Sequence, residues 1–337
     1  MKKRLTAMTL AAAMTLALTA CGGGSTPSSQ TPETGNPDGV SVAILLPGTI
    51  NDAGWSAAGY NGLMQAKEDF GLAAADYSES VPLAEQESTI RDYASRGYNL
   101  IIGHGNDFQD AIESVSGEFP DTAFAITNST VEGFDNVVGI DVKNEEQGYV
   151  AGYTLGLLTQ SGKVGFVGSI EGLAQTRVEN GFVEGLKASN PQAEAVVTYV
   201  GSMDDSTKAK EQANALLDEG VDCIFQYAQG AGIGVVQAAE EAGKLIVVTS
   251  PSQQEMAANT AVMYVQTDTK EQIVSAVKAY TEGNFNSDLK IEGTFASGLF
   301  KVGGFNSELM SEEIQQQVQS VVDDLTSGTL NLEISAS

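Results

Sequence analysis

The residues able to do chemistry sit at the ends of apolar runs. After Val42-Ala-Ile-Leu-Leu46 comes "PGTINDAGWSAAGYNG", bringing Asn51, Asp52 and the single tryptophan, Trp55, to what reads as a helix start. After Leu100-Ile-Ile102 comes "GHGNDFQDA", with Asn106, Asp107 and Phe108, and Asn128 follows "AFAIT". The second half of the chain repeats the arrangement with Gln175, Met203-Asp204-Asp205, Tyr227 and Gln229, and Ser250 and Gln253. Carboxamides and carboxylates can hydrogen-bond the edge of a polar ring, and an indole or phenol offers a flat face for stacking. This is the chemistry of binding a small heteroaromatic molecule at the carboxyl ends of strands.

Each residue also has a plainer role open to it. Asp52 and Asp205 either meet a ligand or cap the helices that follow them. Trp55 is either a stacking platform or a core residue at one end of its helix. Asn128 either contacts a ligand or starts the turn Asn-Ser-Thr. His104, the only histidine, excludes a multi-histidine metal site and is expected to be a structural hydrogen bonder. One histidine also leaves no Ser/His/Asp or Cys/His constellation to build. Asp107, Asp204 and Asp205 keep a nucleoside-processing hydrolase as an alternative, but no catalytic residue, metal site or cofactor is assigned. The "GAGIG" run at 230–234 has the wrong third spacing for a dinucleotide loop, since Val235 stands where a glycine belongs. Its glycines, Gly232 among them, are expected to let a helix start come close to the ligand.

Parallel α/β sheets must position these residues. Short Val/Ile-rich runs recur at 42–46, 99–103, 122–127, 137–141, 163–168, 195–200, 221–226, 245–249 and 261–266, with amphipathic stretches such as 83–96 and 206–219 between them. Two strand–helix series follow one another. The helix over 270–281 has no strand series of its own and is expected to return to the first lobe, while the helix over 311–325 covers the second. Repeated crossing makes a hinge with a cleft at the strands' carboxyl ends. The expected division is 40–142 with 267–296 as the first lobe and 143–266 with 297–337 as the second.

The amino terminus reads as an address. Lys2-Lys3-Arg4, a short apolar segment over 5–18 and small residues before Cys21 make residues 1–20 a secretory signal, too short for a membrane span. The Leu18-Thr-Ala-Cys21 ending resembles a bacterial lipobox, with the lipid on Cys21. Residues 21–39 carry almost no hydrophobic side chain and are expected to form a disordered tether reaching roughly 25 Å. Cys223, the other cysteine, sits in an apolar run and reads as an inert core thiol. The formal charge is −27, and losing the three cationic residues of the signal takes it to −30. Such a surface repels nucleic acid and anionic lipid.

Several motifs together resemble the basic membrane protein family of ABC-transporter substrate-binding lipoproteins. They are Gly48-Thr-Ile-Asn-Asp-Ala-Gly-Trp55, Asn144-Glu-Glu-Gln-Gly-Tyr-Val-Ala-Gly152, Gly162-Lys-Val-Gly-Phe-Val-Gly168, Asn180-Gly-Phe-Val-Glu-Gly185, Gly201-Ser-Met-Asp-Asp205 and Gln229-Gly-Ala-Gly-Ile-Gly234. The resemblance implies a two-lobed type I periplasmic-binding-protein fold and a purine nucleoside or related base as ligand. It further implies an ABC permease as partner, a lipid-anchored monomer on the extracytoplasmic face of the membrane, and an aromatic in the first loop stacking on the base. A sensing receptor of the same fold is the alternative. Two departures stand out. Met203 occupies a position where the family usually has an aromatic, so the second stacking face is expected from its thioether or from Tyr227. The loop at 248–254 lacks the family's carboxylates for ribose, so free bases are expected to bind at least as well as nucleosides.

Overall fold

A computed structural model describes residues 39–51 and 55–332. The strands are β1 (Ser41–Leu45), β2 (Ala74–Ser78), β3 (Leu100–Gly103), β4 (Ala123–Thr127), β5 (Val137–Val142), β6 (Lys163–Gly168), β7 (Glu194–Tyr199), β8 (Cys223–Tyr227), β9 (Leu245–Val248), β10 (Ala261–Thr267), β11 (Ile291–Gly293) and β12 (Phe300–Gly303). The helices are α1 (Trp55–Phe70), α2 (Gln86–Ser95), α3 (Gln109–Ser116), α4 (Asn144–Leu158), α5 (Leu173–Ser189), α6 (Ser206–Asp218), α7 (Gly232–Ala242), α8 (Pro251–Met256), α9 (Lys270–Thr281) and α10 (Glu312–Ser327).

Fully apolar strands such as β1 and β4, buried along their whole length, need cover on both faces, and parallel pairing with helices above and below supplies it. Two six-stranded sheets result, ordered β2-β1-β3-β4-β5-β11 and β7-β6-β8-β9-β10-β12. All pairings are parallel except that of β12 with β10. The second sheet repeats the strand order of the first, so each lobe has its own point where the order reverses, between β1 and β3 and between β6 and β8. In open α/β sheets that crevice, outside the carboxyl ends, is where ligands bind. This is the two-lobed α/β fold that the strand–helix alternation predicts.

The first sheet carries α1 and α9 on one face, around Leu63, Ile102 and Ile273, and α2 and α3 on the other, around Ile90, Phe124 and Ile112. The second carries α4, α5 and α10 against Phe166, Phe182 and Val318, and α6 and α7 against Val235 and Leu216. The chain passes between sheets after β5, after β10 and after β11. The glycines in the Asn144–Gly152 and Asn180–Gly185 motifs belong to packing. A Cβ on Gly152 would collide with the Phe182 carbonyl of α5, and one on Gly181 with the Glu145 carbonyl of α4. Bare backbones are what allow these helices to touch.

Charges cluster where the chain first crosses. Arg177 of α5 donates to both carboxylate oxygens of Asp141 in β5, at 2.7 and 3.4 Å, and to the Val142 carbonyl at 3.1 Å. Its Nε also lies 3.2 Å from Glu145, a charge contact without hydrogen-bond alignment. Lys143 bridges Asp141 and Glu292 of β11 at 3.0 and 3.2 Å. Burial alone would raise the Asp141 carboxyl, but hydrogen bonds from Arg177 and Lys143 hold it below the ordinary value.

Glu146 goes the other way. It accepts the Phe295 N–H of the third crossing at 2.8 Å, and burial first, then the Glu145 and Glu292 charges, push its pKa up to about 7. The folded chain therefore holds a proton that the unfolded chain releases near 4.5, and stability contributed by this group falls as pH rises from about 4.5 to 7. At about 1.4 kcal/mol for each pH unit, the effect reaches at most about 3–4 kcal/mol. Glu146→Gln is expected to flatten this part of the stability–pH curve and to be the more stable protein at pH 8. Denaturation at several pH values checks it, and parallel curves for the two proteins would refute the assignment.

Candidate ligand-binding site

Between the lobes lies a cavity of about 930 Å³, at the upper end of the usual range for small-molecule sites. The first lobe lines it with Trp55 and Asn61 of α1, with His104, Asn106 and Asp107 after β3, and with Asn128 after β4. Both reversal-point loops, after β1 and after β3, thus reach the cavity. The Trp55 indole stacks on His104 at 4.1 Å between ring centres and 11° between planes. Its Nε1 donates to the His104 carbonyl at 3.2 Å. His104 is fully buried, with Nε2 on the Trp55 carbonyl at 2.9 Å and Nδ1 on the Thr127 hydroxyl at 3.3 Å. A Cβ at Gly59 would lie 2.6 Å from the His104 ring, so a glycine there lets α1 seat the stack. The histidine positions the tryptophan.

The second lobe answers with Gln175 after β6, Met203 after β7, Tyr227 at the end of β8 and Gln229 after it, and Ser250 and Gln253 after β9. Tyr227 packs over Phe166 at 6.4 Å and 29°, and burial pushes its phenol up to about 12, so it is a neutral donor or acceptor at physiological pH. Gln175 donates to the Ser169 hydroxyl at 2.9 Å and to the Tyr227 carbonyl at 3.4 Å, which ties two loops of the wall together. Asn128 and Gln229 hold left-handed backbone, with φ of 55° and 54°. Such conformations cost of order 1–3 kcal/mol for non-glycine residues and concentrate at ligand clamps.

A third wall comes from the crossings and holds none of the residues expected as contacts from the sequence. Asn144, Gln147, Thr267, Asp268, Lys270 and Gln272 all line the cavity. Gln147 is anchored by donating to the Val265 carbonyl at 2.7 Å. Asp268 pairs with Lys301 at 2.7 Å and with Lys270 at 3.8 Å. Gln272 is 2% exposed, and its Oε1 has no hydrogen-bond partner. The cue was in the sequence: Thr267-Asp-Thr-Lys270 is a polar run at a strand end before a helix, the same pattern as the stretch after β1. Asp268 also supplies a carboxylate that the 248–254 loop lacks.

Four residues expected as contacts are not among those lining the cavity. Phe108 is fully buried in the first-lobe core, because the short helical turn Asn106–Phe108 rotates its ring away from the two polar residues before it. Asp205 caps α6 by accepting the Lys208 N–H at 2.9 Å and does not line the cavity. Gly232 packs against the Gln226 side chain with no room for a Cβ, so its closeness serves packing. Asn51 is exposed outside the cavity lining. Asp52, Cys21, the signal and the tether up to residue 38 lie outside the described residues.

Two reversal-point crevices facing one cavity, with three chain crossings beside it, define the architecture of a solute-binding protein. The chain belongs to the Bmp family, the PnrA-like ABC transporter substrate-binding proteins, whose profile matches residues 39–331. It is 32% identical over 250 residues, 72% of this chain and 70% of the relative, to a protein of Listeria innocua named CD4+ T-cell-stimulating antigen. It is 27% identical to the ABC transporter nucleoside-binding protein BmpA of Lactococcus lactis, covering 84% of this chain and 86% of that one. Among solved structures, an ABC transporter solute-binding protein from Conexibacter woesei superposes with a TM-score of 0.69 at 26% identity, covering 87% and 98% of the two chains. The protein is an ABC transporter substrate-binding protein, not an enzyme. Among the described residues no helix is long and apolar enough to cross a membrane.

Proposed function

We propose that the cleft captures a purine base or its nucleoside and that the protein, held at the extracytoplasmic face of the cell membrane by lipid on Cys21, hands it to an ABC permease. The observation that carries this is the pairing of a flat, anchored indole on one lobe with Tyr227 on the other, around the carboxamides and carboxylate of Asn106, Asp107 and Asn128. A planar, polar-edged ring satisfies both sets of groups at once. Ribose hydroxyls, where the ligand has them, meet Asp268 and Lys270. The relative named as a nucleoside-binding protein supports the same ligand class.

Asp107 is exposed in the cleft wall, so its removal is expected to cost affinity and not folding. A charged hydrogen bond is worth about 1.5–3 kcal/mol, and Asp107→Ala should weaken the best purine by roughly ten- to a hundredfold. Calorimetry with hypoxanthine, adenine, guanine and their nucleosides checks it, and unchanged affinity for all of them would remove Asp107 from the site. The anchor has its own test. Cys21→Ser should move the protein from the membrane fraction to the soluble one, and unchanged membrane retention would exclude that cysteine as the attachment point.

A further inference from the structure

Gln226 is fully buried beneath the second-lobe wall, and Gln253 lines the cavity above it. The orientation of both amides follows from backbone donors. The Ala228 N–H can only donate, and it lies 2.6 Å from Gln226 Oε1. Gln226 Nε2 is therefore turned toward Gln253 Oε1 at 2.7 Å and the Thr249 hydroxyl at 3.3 Å. The Thr249 N–H, 3.1 Å from the same Gln253 atom, independently requires an acceptor there, and the Thr249 hydroxyl lies 3.1 Å from it as well. An amide flip at either glutamine would set donor against donor. Gly232 packs flush on the Gln226 side chain, so this amide has little room to turn.

With its oxygen committed to these donors, Gln253 has only its Nε2 hydrogens left for the cavity. We infer that Gln253 is a donor-only contact whose polarity is set by Gln226 acting as a positioning residue, and that the ligand presents an acceptor to it: a ring nitrogen, a carbonyl oxygen or a hydroxyl oxygen. The inference rests on the cleft being the purine site. It adds a rule of selection, because a ligand that turns an amino group or a C–H to this point leaves a half-buried N–H unmatched, and buried unmatched donors are costly.

The test is a cycle between protein and ligand. Affinities of wild type, Gln253→Met and Gln226→Met are measured for hypoxanthine, adenine, inosine and adenosine. The same proteins are then titrated with analogues that delete one acceptor each: deazapurines for ring nitrogens, the 6-unsubstituted purine for the carbonyl, deoxynucleosides for hydroxyls. One deletion is expected to weaken binding to wild type by roughly five- to a hundredfold and to Gln253→Met by less than about twofold. Gln226→Met, which touches no ligand, should lose part of the same discrimination, a change that a purely structural role would not produce. Uniform losses across the analogues in every protein, or coupling to an amino group, would overturn the inference while leaving the purine site standing. Failure of every purine to bind wild type would overturn both.

Discussion

Trp55→Ala is expected to raise the dissociation constant for the purine ligand by about five- to a hundredfold, because stacking of a base on an aromatic face is worth roughly 1–3 kcal/mol. The indole is half-buried, lines the cavity and is held at a fixed tilt by the His104 ring and carbonyl. A fixed platform loses little freedom when the ligand arrives, so most of the stacking energy reaches the affinity. Trp55→Phe should retain part of it, since a smaller flat face remains although the bond from Nε1 is gone. A core tryptophan would behave differently: the alanine variant would lose about 3–5 kcal/mol of stability and bind its ligand as before. Calorimetric affinity and melting temperature measured on the same three proteins separate the accounts. Intact affinity in Trp55→Ala would remove the platform from the site.

Arg177→Met is expected to destabilise the protein by about 3–5 kcal/mol, as removal of one partner from a buried ionic cluster does. The guanidinium is 13% exposed and faces carboxylates that are 19% and 3% exposed, Asp141 and Glu145. Lys143 still reaches Asp141 in the variant, but Glu145 loses its one ion-pair partner among the described residues and keeps only the more distant charge of Lys143. Arg177→Lys should recover little, because a point charge cannot hold two carboxylates and a carbonyl with one planar fork. The sign with pH follows from Asp141. Its pKa is lowered in the folded state, so the stability it contributes is present above the ordinary value near 3.8 and is lost as pH falls through the folded one. The gap between wild type and Arg177→Met should therefore narrow in acid. Urea melts showing less than about 0.5 kcal/mol between the two at pH 7 would contradict this.

Much of the architecture was legible because each buried strand is an apolar run closed by polar residues. α9 packs beside α1 on the first sheet and α10 on the second, and the stretch over 270–281 has no strand series of its own to sit on. β2 escaped notice because Ala-Ala-Asp-Tyr-Ser is a half-buried edge strand with no apolar run to betray it. β11 and β12, three and four residues long, are defined by pairing with distant strands and not by their own composition. Of the residues lining the cavity, Asn106, Asp107 and Tyr227 were visible as strand-end residues. Phe108 was not separable from them, because a single helical turn decides which way its ring faces. The wall at the crossings was hidden for a different reason, the polar run over 267–270 apart: Asn144 and Gln147 lie more than a hundred residues from Asp268 and Gln272 and become neighbours only when the crossings after β5 and β10 come together. The roles of Gln226 and Gln253 depend on hydrogen-bond direction, which no spacing rule contains.

The central claim is that the cleft holds a purine. Its most direct test is mass spectrometry of the small molecules released by denaturing protein that was purified under native conditions without washing. The account predicts a purine base or nucleoside in amounts comparable to the protein, and its loss from Trp55→Ala prepared in parallel. A sugar, an amino acid or a peptide released in that amount, with no purine, would contradict it.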